Sequence, residues 1–117
     1  MKLIVDNKGG TKRLRARYLD DDGKVIKTTS FGAKTSLGTF ADGARAEKRK
    51  NYITRHKALG EDWTRKGKFT AGFLSRWVLW EAKTNEEIRK ILSKKTGIPL
   101  ANVKVTFPRY PIRRTFG

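Results

Sequence analysis

Few of the side chains that catalysis commonly uses occur in this chain. It has no cysteine and a single histidine, His56, which lies in the basic segment ITRHK. Without a thiol, neither a Cys–His nucleophile pair, nor a thiolate metal site, nor a disulfide framework can form. A Ser–His–Asp set is formally possible, but a lone histidine among cations is more typical of a surface or phosphate-contacting group. We therefore interpret His56 as a surface or phosphate-contacting residue and not as a catalytic one.

Two other segments could have supported phosphoryl chemistry. Asp20, Asp21 and Asp22 could chelate Mg²⁺ for a nuclease. Gly23 follows them, however, and aspartate before glycine is typical of a turn in which the side chains bond the backbone. The segment GAKTSLG lacks the Gly-Lys-Ser/Thr order of a phosphate-binding loop. The sequence therefore predicts a protein that is not an enzyme, with no metal, no cofactor and no small-molecule substrate.

The charge balance indicates the kind of partner. The chain of 117 residues has 28 Lys and Arg against 11 Asp and Glu, a formal net charge of +17. Such an excess repels itself in the folded state and attracts polyanions. DNA is the first candidate because neutralising its phosphates releases condensed counterions. An acidic protein or an anionic membrane surface is the second.

Three sets of basic residues could contact nucleic acid or another partner. They are the strand set Arg13, Arg15 and Arg17, the helix set Arg45, Lys48, Arg49, Lys50, Arg55 and His56, and the tail set Arg109, Arg113 and Arg114. Strand residues two apart lie about 6.6–6.8 Å from each other, close to the spacing of phosphates along one strand. Each set could equally be a solvated face. The tail, which also holds aromatics, could bind nucleic acid or lie along a protein subunit.

No segment is long enough to cross a membrane. The apolar run in MKLIV is shorter than the about 7–15 residues of a signal peptide core. The run FLSRWVLW is far shorter than the about 20 residues of a spanning helix, and Arg76 interrupts it. We expect no membrane span, and a protein that is not secreted.

Alternating apolar and charged residues predict the strands. Residues 12–19 alternate arginine with apolar side chains, and residues 24–31 follow an Asp-Gly turn. The two segments therefore predict an antiparallel hairpin. MKLIV could add a third strand, and NVKVTF predicts a last strand with Val103 and Val105 on one face.

Capping residues predict three helices. The segments are residues 43–59 with Asp42 before and Gly60 after, residues 70–81 with Thr70 as cap, and the segment between Thr84 and Gly97, where Thr84 and Glu87 form a capping box.

The order of strands, then helices, then a strand predicts the fold class α+β. We expect an N-terminal antiparallel β-hairpin, with the C-terminal strand as a candidate third member of its sheet, packed on two or three helices. A single domain over residues 1–107 is followed by an extended basic tail over residues 108–117.

The segment TAGFLSRWVLW predicts the central helix of the core. Phe73, Trp77 and Trp80 recur at i, i+4 and i+7 and therefore lie on one face. Apolar residues cover more than half of the circumference, which is too wide for a surface helix. Arg76 is expected to reach out of the core, stacking on a tryptophan or pairing with Glu61 or Asp62.

Four segments occur in one order with short spacers: FGAK, RKNYITRH, EDW and TAGFLSRWVLW. Over residues 28 to 92 the chain resembles an uncharacterised family of small basic proteins encoded by large double-stranded DNA viruses of algae and amoebae. The matching residues are Phe31, Gly32, Arg49, Lys50, Tyr52, Arg55, His56, Asp62, Trp63, Thr70, Gly72, Ser75, Arg76, Trp77 and Trp80. A Tyr-Thr that often precedes the basic helix in that family is replaced here by FADGARAEKRK. The resemblance implies a viral protein without enzymatic activity and transfers no biochemical role.

Two hypotheses follow from charge and resemblance together. The first is a non-enzymatic viral protein that binds nucleic acid through phosphate contacts with little base specificity, associated with the genome or virion. The alternative is a minor capsid or cement protein whose basic surface and C-terminal arm bind acidic capsid subunits. Either would place the protein in the virion or in the cytoplasm or nucleus of an infected host cell. Basicity along the whole chain favours the first, and the proline-containing arm favours the second.

Overall fold

A four-stranded mixed sheet forms one layer of the protein. The computed structural model describes residues 1–8, 10–33 and 38–108. The strands are β1 (Lys2–Asp6), β2 (Lys12–Leu19), β3 (Val25–Ala33) and β4 (Val103–Thr106), in the order β3-β2-β1-β4. Neighbours β1 and β2 are antiparallel, as are β2 and β3, whereas β4 runs parallel to β1.

The predicted hairpin is confirmed, with β3 two residues longer than expected at its end. Its turn is held by Asp20, whose carboxylate accepts hydrogen bonds from the amides of Asp22 and Lys24 at 3.0 and 2.9 Å. Gly23 supplies the positive φ of +82° that the turn requires. The N-terminal and C-terminal segments also join this sheet, so the prediction of an α+β fold is confirmed.

Three helices pack around a hydrophobic core that they share with the sheet. They are α1 (Ala46–Ala58), α2 (Ala71–Leu74), which continues as a π-helical turn (Ser75–Leu79), and α3 (Asn85–Thr96). The hydroxyl oxygens of Thr70 and Thr84 accept hydrogen bonds from the amides three residues on, and Gly97 ends α3 in the left-handed conformation. The predicted caps of the second and third helices are thereby confirmed.

The predicted start of the first helix is wrong. Helix α1 begins at Ala46, and the residue at its N-cap is Arg45, whose side chain makes no capping hydrogen bond. Asp42 belongs instead to a preceding 3-10 turn (Phe40–Asp42), where its carboxylate binds a guanidinium. The same carboxylate also accepts hydrogen bonds from the backbone amides of Gly38 and Thr39 at 3.2 and 3.0 Å, so Asp42 holds this turn instead of capping α1.

The segment TAGFLSRWVLW is the centre of the core, as predicted. Phe73, Leu74 and Val78 are fully buried, and Trp77 and Trp80 are 9% and 8% exposed. The sheet contributes its inward-facing residues to the same core, which are Leu3, Val5, Leu14, Ala16, Tyr18, Phe31, Val103 and Val105.

The prediction that Arg76 reaches out of the core is wrong. Arg76 is 7% exposed and lies within the π-helical turn. Its guanidinium stacks on Trp77, 4.3 Å from the ring centroid, as expected. Its ion pair, however, is with Glu81 at 2.7 Å and not with Glu61 or Asp62. Within the described residues no helix is long and apolar enough to span a membrane.

Replacing Trp77 tests the importance of this core. Trp77 is buried and its indole N–H donates to the carbonyl of Trp63 at 3.0 Å. We expect Trp77→Ala to lower the free energy of unfolding by about 3–5 kcal/mol, because it creates a large cavity. Urea unfolding followed by circular dichroism measures the change. Leu59→Ala, at a side chain 73% exposed, is the control, and equal stability of both variants would contradict the assignment.

Candidate functional site

The first arginine of β2 lies inside the protein. Arg13 is 5% exposed, and its two terminal nitrogens donate to the Asp42 carboxylate at 2.8 and 2.6 Å. The ring of Phe107 also lies 5.9 Å from its guanidinium carbon. The expectation that Arg13 faces solvent with Arg15 and Arg17 is therefore wrong, because the turn that carries Asp42 covers it.

The other two arginines of β2 share one carboxylate. Arg15 donates to both oxygens of Asp6 at 3.1 and 2.7 Å, and Arg17 lies 3.5 Å from the same carboxylate. Burial acts to raise the pKa of Asp6, but the bonds from Arg15 and from the Lys8 amide outweigh it and hold that pKa below its usual value. Of the three arginines predicted to lie at the spacing of phosphates, only Arg15 and Arg17 thus remain. Both are half-exposed, and Asp6 neutralises part of their charge.

Helix α1 carries cations that the rest of the fold does not neutralise. Lys48, Lys50 and Arg55 are exposed and make no ion pair among the residues that the structure describes. Together with Asn51 and Thr54 they line a shallow depression of about 470 Å³ along the helix, which we call the basic groove. Among the described residues, no carboxylate lines this groove. Arg45 is also exposed, at the start of the helix.

Arg49 differs from the other predicted cations of α1. It is half-buried, and it donates to the carbonyl of Trp80 at 3.0 Å and to the carboxylate of Glu81 at 2.9 Å. It therefore joins α1 to the end of the core helix. The guanidinium of Arg49 therefore stabilises the fold, whereas the cations that line the basic groove do not.

His56 belongs to a stack of three rings. Its imidazole lies on Tyr52 with a centroid distance of 4.0 Å, and Tyr52 lies on Trp80 at 4.4 Å. The Nδ1 atom of His56 is 3.2 Å from Glu61 Oε1, which also accepts a hydrogen bond from the Trp63 indole at 3.1 Å. The histidine is thus held by a carboxylate on one side and a tyrosine ring on the other.

A cavity of about 510 Å³ opens beside the basic groove. Its walls come from β3, α1 and the core helix, and Lys48 and Arg55 line both it and the groove. Lys12 adds a third cation. The cavity includes Tyr52, whose hydroxyl is buried and has no hydrogen-bond partner in the described residues. We call this the Tyr52 cavity.

Two glycines allow the walls of the Tyr52 cavity to approach closely. A Cβ atom at Gly72 would come within 2.9 Å of the Glu61 carboxylate, so that side chain would have to shift. Gly32 has a φ of +79°, and a Cβ there would meet the side chain of Leu79 at 3.0 Å. Substitution at either position would displace a wall of the cavity.

Sequence reasoning missed most residues of the Tyr52 cavity. The spacing of Tyr52 and His56, four apart on one helix, was a signal for their stack. Glu61 and Lys12 gave no local signal. Of the residues that carry the resemblance, eight lie around the cavity, namely Phe31, Gly32, Tyr52, Arg55, His56, Gly72, Ser75 and Trp80.

Arg109, Arg113 and Arg114 of the predicted tail set lie outside the described residues. Within the described residues, no group of three or more His, Asp or Glu side chains is placed to hold a metal ion. Comparisons with models of protein families, with curated proteins and with solved structures find no match for this chain.

Because the pair of Arg13 and Asp42 is buried, we expect removal of one of its charges to have a large effect on stability. Neither side chain is more than 3% exposed, so Asp42→Asn leaves the guanidinium of Arg13 without its counter-charge. We expect the free energy of unfolding to fall by about 3 kcal/mol or more. Chemical unfolding measures it, with Asp22→Asn in the exposed turn as the control. A loss no larger than in the control would show that the pair contributes little.

Glu81 predicts a loss of stability in acid. Burial alone raises the pKa of Glu81, but hydrogen bonds from Arg49 and Arg76 outweigh burial and lower it below its usual 4.5. The stabilisation is therefore fully present above pH 4.5 and disappears as the pH falls through the lower, folded-state pKa. We expect Glu81→Gln to be less stable at neutral pH, with a smaller further loss between about pH 4.5 and pH 2.

Unfolding curves at several pH values check the dependence on Glu81. Glu47→Gln, which removes an exposed carboxylate of α1, is the matched control and should follow the wild type. Because Asp6 still titrates in all three proteins, some loss in acid persists in each. Parallel pH profiles for the wild type and Glu81→Gln would contradict the role assigned to this carboxylate.

Proposed function

We propose that the protein is a non-enzymatic DNA-binding protein that contacts phosphates through the basic groove of α1. The observation that carries the proposal is the set of three exposed cations, Lys48, Lys50 and Arg55, that line the basic groove without an ion pair among the described residues. The ammonium of Lys48 also donates a hydrogen bond to the carbonyl of Gly38 at 3.0 Å. Glu47 is the one acidic residue of that helix. The groove thus has an uncompensated positive charge.

The chemistry of the basic groove suits a phosphate backbone. Lysine and arginine neutralise phosphates and release counterions, and the neutral side chains of Asn51 and Thr54 between them can donate hydrogen bonds to phosphate oxygens. The 13 residues of α1 rise about 1.5 Å each, so the helix is long enough to follow several phosphates. Such contacts fix position on the nucleic acid with little base specificity.

We infer where this binding takes place from the resemblance to viral proteins. We propose that the protein associates with a viral genome, in the virion or in the infected cell. The alternative of a minor capsid or cement protein depends on the C-terminal arm, most of which lies outside the described residues. That alternative stays a prediction, and the binding test below includes an outcome that favours it.

The proposal predicts a specific change in salt dependence. The variant Lys48→Gln, Lys50→Gln, Arg55→Gln removes the three cations of the groove. We expect the slope of log K against log [salt] for duplex DNA to become shallower by about 2–3, because each phosphate contact contributes about 0.9. Fluorescence anisotropy across salt concentrations measures the slope for wild type and variant.

The matched control is Lys90→Gln, Lys94→Gln, Lys104→Gln, which removes three exposed cations from α3 and β4. It lowers the net charge equally and should retain most of the wild-type slope. Equal slopes in the two variants would show that binding follows total charge and not the basic groove. If wild type binds no DNA at about 100 mM salt but does bind polyglutamate, the acidic-protein alternative is favoured.

A further inference from the structure

Three cations lie around the Tyr52 cavity without a carboxylate partner. Lys12, Lys48 and Arg55 line it, and none of them makes an ion pair among the residues that the structure describes. A cleft lined by charges of one sign concentrates ions of the opposite sign, because its walls focus the electric field. The three cations therefore indicate an anionic ligand.

The carboxylate of Glu61 does not neutralise these cations. Glu61 is the only acidic residue among the described residues that line the cavity. Its Oε1 atom lies 3.2 Å from Nδ1 of His56 and accepts a hydrogen bond from the indole of Trp63 at 3.1 Å. Because this carboxylate is bound by two other rings, the charge of the cavity remains positive.

Helix α1 places two of the cations at the cavity. Lys48, Tyr52, Arg55 and His56 recur at i, i+4, i+7 and i+8, so they share one face of the helix. The ammonium of Lys48 donates to the carbonyl of Gly38, which also lines the cavity, at 3.0 Å. This bond holds the ammonium at the cavity wall, and two of its three N–H donors remain for a ligand.

The core helix contributes a hydroxyl that a ligand can reach. Ser75 lines the cavity and is the first residue of the π-helical turn Ser75–Leu79. Its hydroxyl makes no hydrogen bond with the described residues and, unlike the hydroxyl of Tyr52, is accessible to solvent. Turns of π-helix are rare and are frequent at functional sites. The turn and the free hydroxyl thus both mark this wall of the cavity as a binding surface.

We propose that the Tyr52 cavity binds a phosphate monoester through the charges of Lys12, Lys48 and Arg55 and the hydroxyl of Ser75. A terminal phosphate has up to two negative charges and three acceptor oxygens, which match these groups. The cavity of about 510 Å³ also has room for the group attached to the phosphate, since small-molecule sites measure about 300–1,000 Å³.

Two sources present this chemistry, the 5′-terminal phosphate of a DNA strand and a free phosphorylated small molecule. Lys48 and Arg55 line both the cavity and the basic groove, so the end of a strand bound in the groove can enter the cavity. In that form the inference rests on the proposed function. A free phosphorylated molecule does not require it.

The variant Lys12→Gln, Ser75→Ala tests the cavity without altering the basic groove, which neither residue lines. The probes are inorganic phosphate, phenyl phosphate, and one duplex whose short 5′ overhang ends in a phosphate or in a hydroxyl, measured by isothermal titration calorimetry. We expect wild type to bind the free phosphates or to prefer the phosphorylated overhang. The variant should lose about tenfold or more of that affinity, as for a lost charge-assisted hydrogen bond.

The matched control is Lys90→Gln, Ser30→Ala, which removes one exposed cation from α3 and one exposed hydroxyl from β3. It has the same net charge as the cavity variant and should bind the phosphate probes as wild type does. Both variants should bind the duplex with hydroxyl ends equally. Phenyl phosphate should raise the melting temperature of wild type and control more than that of the cavity variant, because it binds the folded state. Equal affinity of the two variants for every phosphate probe would overturn the inference.

The outcomes separate the cavity from the groove. A preference for the phosphorylated overhang that only the cavity variant loses supports a DNA end as the ligand. Binding of the free phosphates without that preference supports a free phosphorylated molecule. Duplex binding by wild type with neither effect overturns the cavity inference and leaves the proposed function standing. Binding of the free phosphates without any duplex binding supports the cavity and overturns the proposed function.

Discussion

Three carboxylates form ion pairs with five of the arginines that the fold partly or fully buries, and the sheet and helices depend on these pairs. The pairs are Asp42 with Arg13, Asp6 with Arg15 and Arg17, and Glu81 with Arg49 and Arg76. A cation taken out of water without a counter-charge destabilises a protein strongly. With 28 Lys and Arg against 11 Asp and Glu, the chain cannot pair every cation. These three carboxylates pair with five arginines that the fold partly or fully buries, and a sixth, Arg89, pairs with Glu86 on α3.

The placement of carboxylates then decides which cations remain in solvent without an ion pair among the described residues. On β2 the arginines that alternate toward one side are drawn to Asp6 and Asp42, so their charge stabilises the fold. On α1 a single acidic residue, Glu47, stands among several cations, and Lys50 and Arg55 remain in solvent without ion pairs among the described residues. Arginine thus has a structural role on β2, whereas on α1 the exposed Arg55 is available for binding.

Local sequence patterns predicted the elements whose causes are local. The Asp-Gly turn, the alternation along β2 and the cap at Thr70 depend on residues a few positions apart, and each has the predicted structure. The pair of Arg13 and Asp42 joins residues 29 apart, and no local pattern indicates it. The burial of Arg13 could therefore not be predicted from the sequence, because it depends on this long-range ion pair.

The Tyr52 cavity could not be predicted from any single segment, because β3, α1 and the core helix each contribute one wall. The core segment TAGFLSRWVLW has two roles as a result. Its apolar face, with Phe73 and Val78, fills the interior, while Gly72 and Trp80 form part of the cavity. Tyr52 stacks on Trp80 with their ring centroids 4.4 Å apart, so the core and the cavity share this contact. A change that loosens the core must therefore also move the tyrosine hydroxyl, so the shape of the cavity depends on the packing that stabilises this highly charged chain.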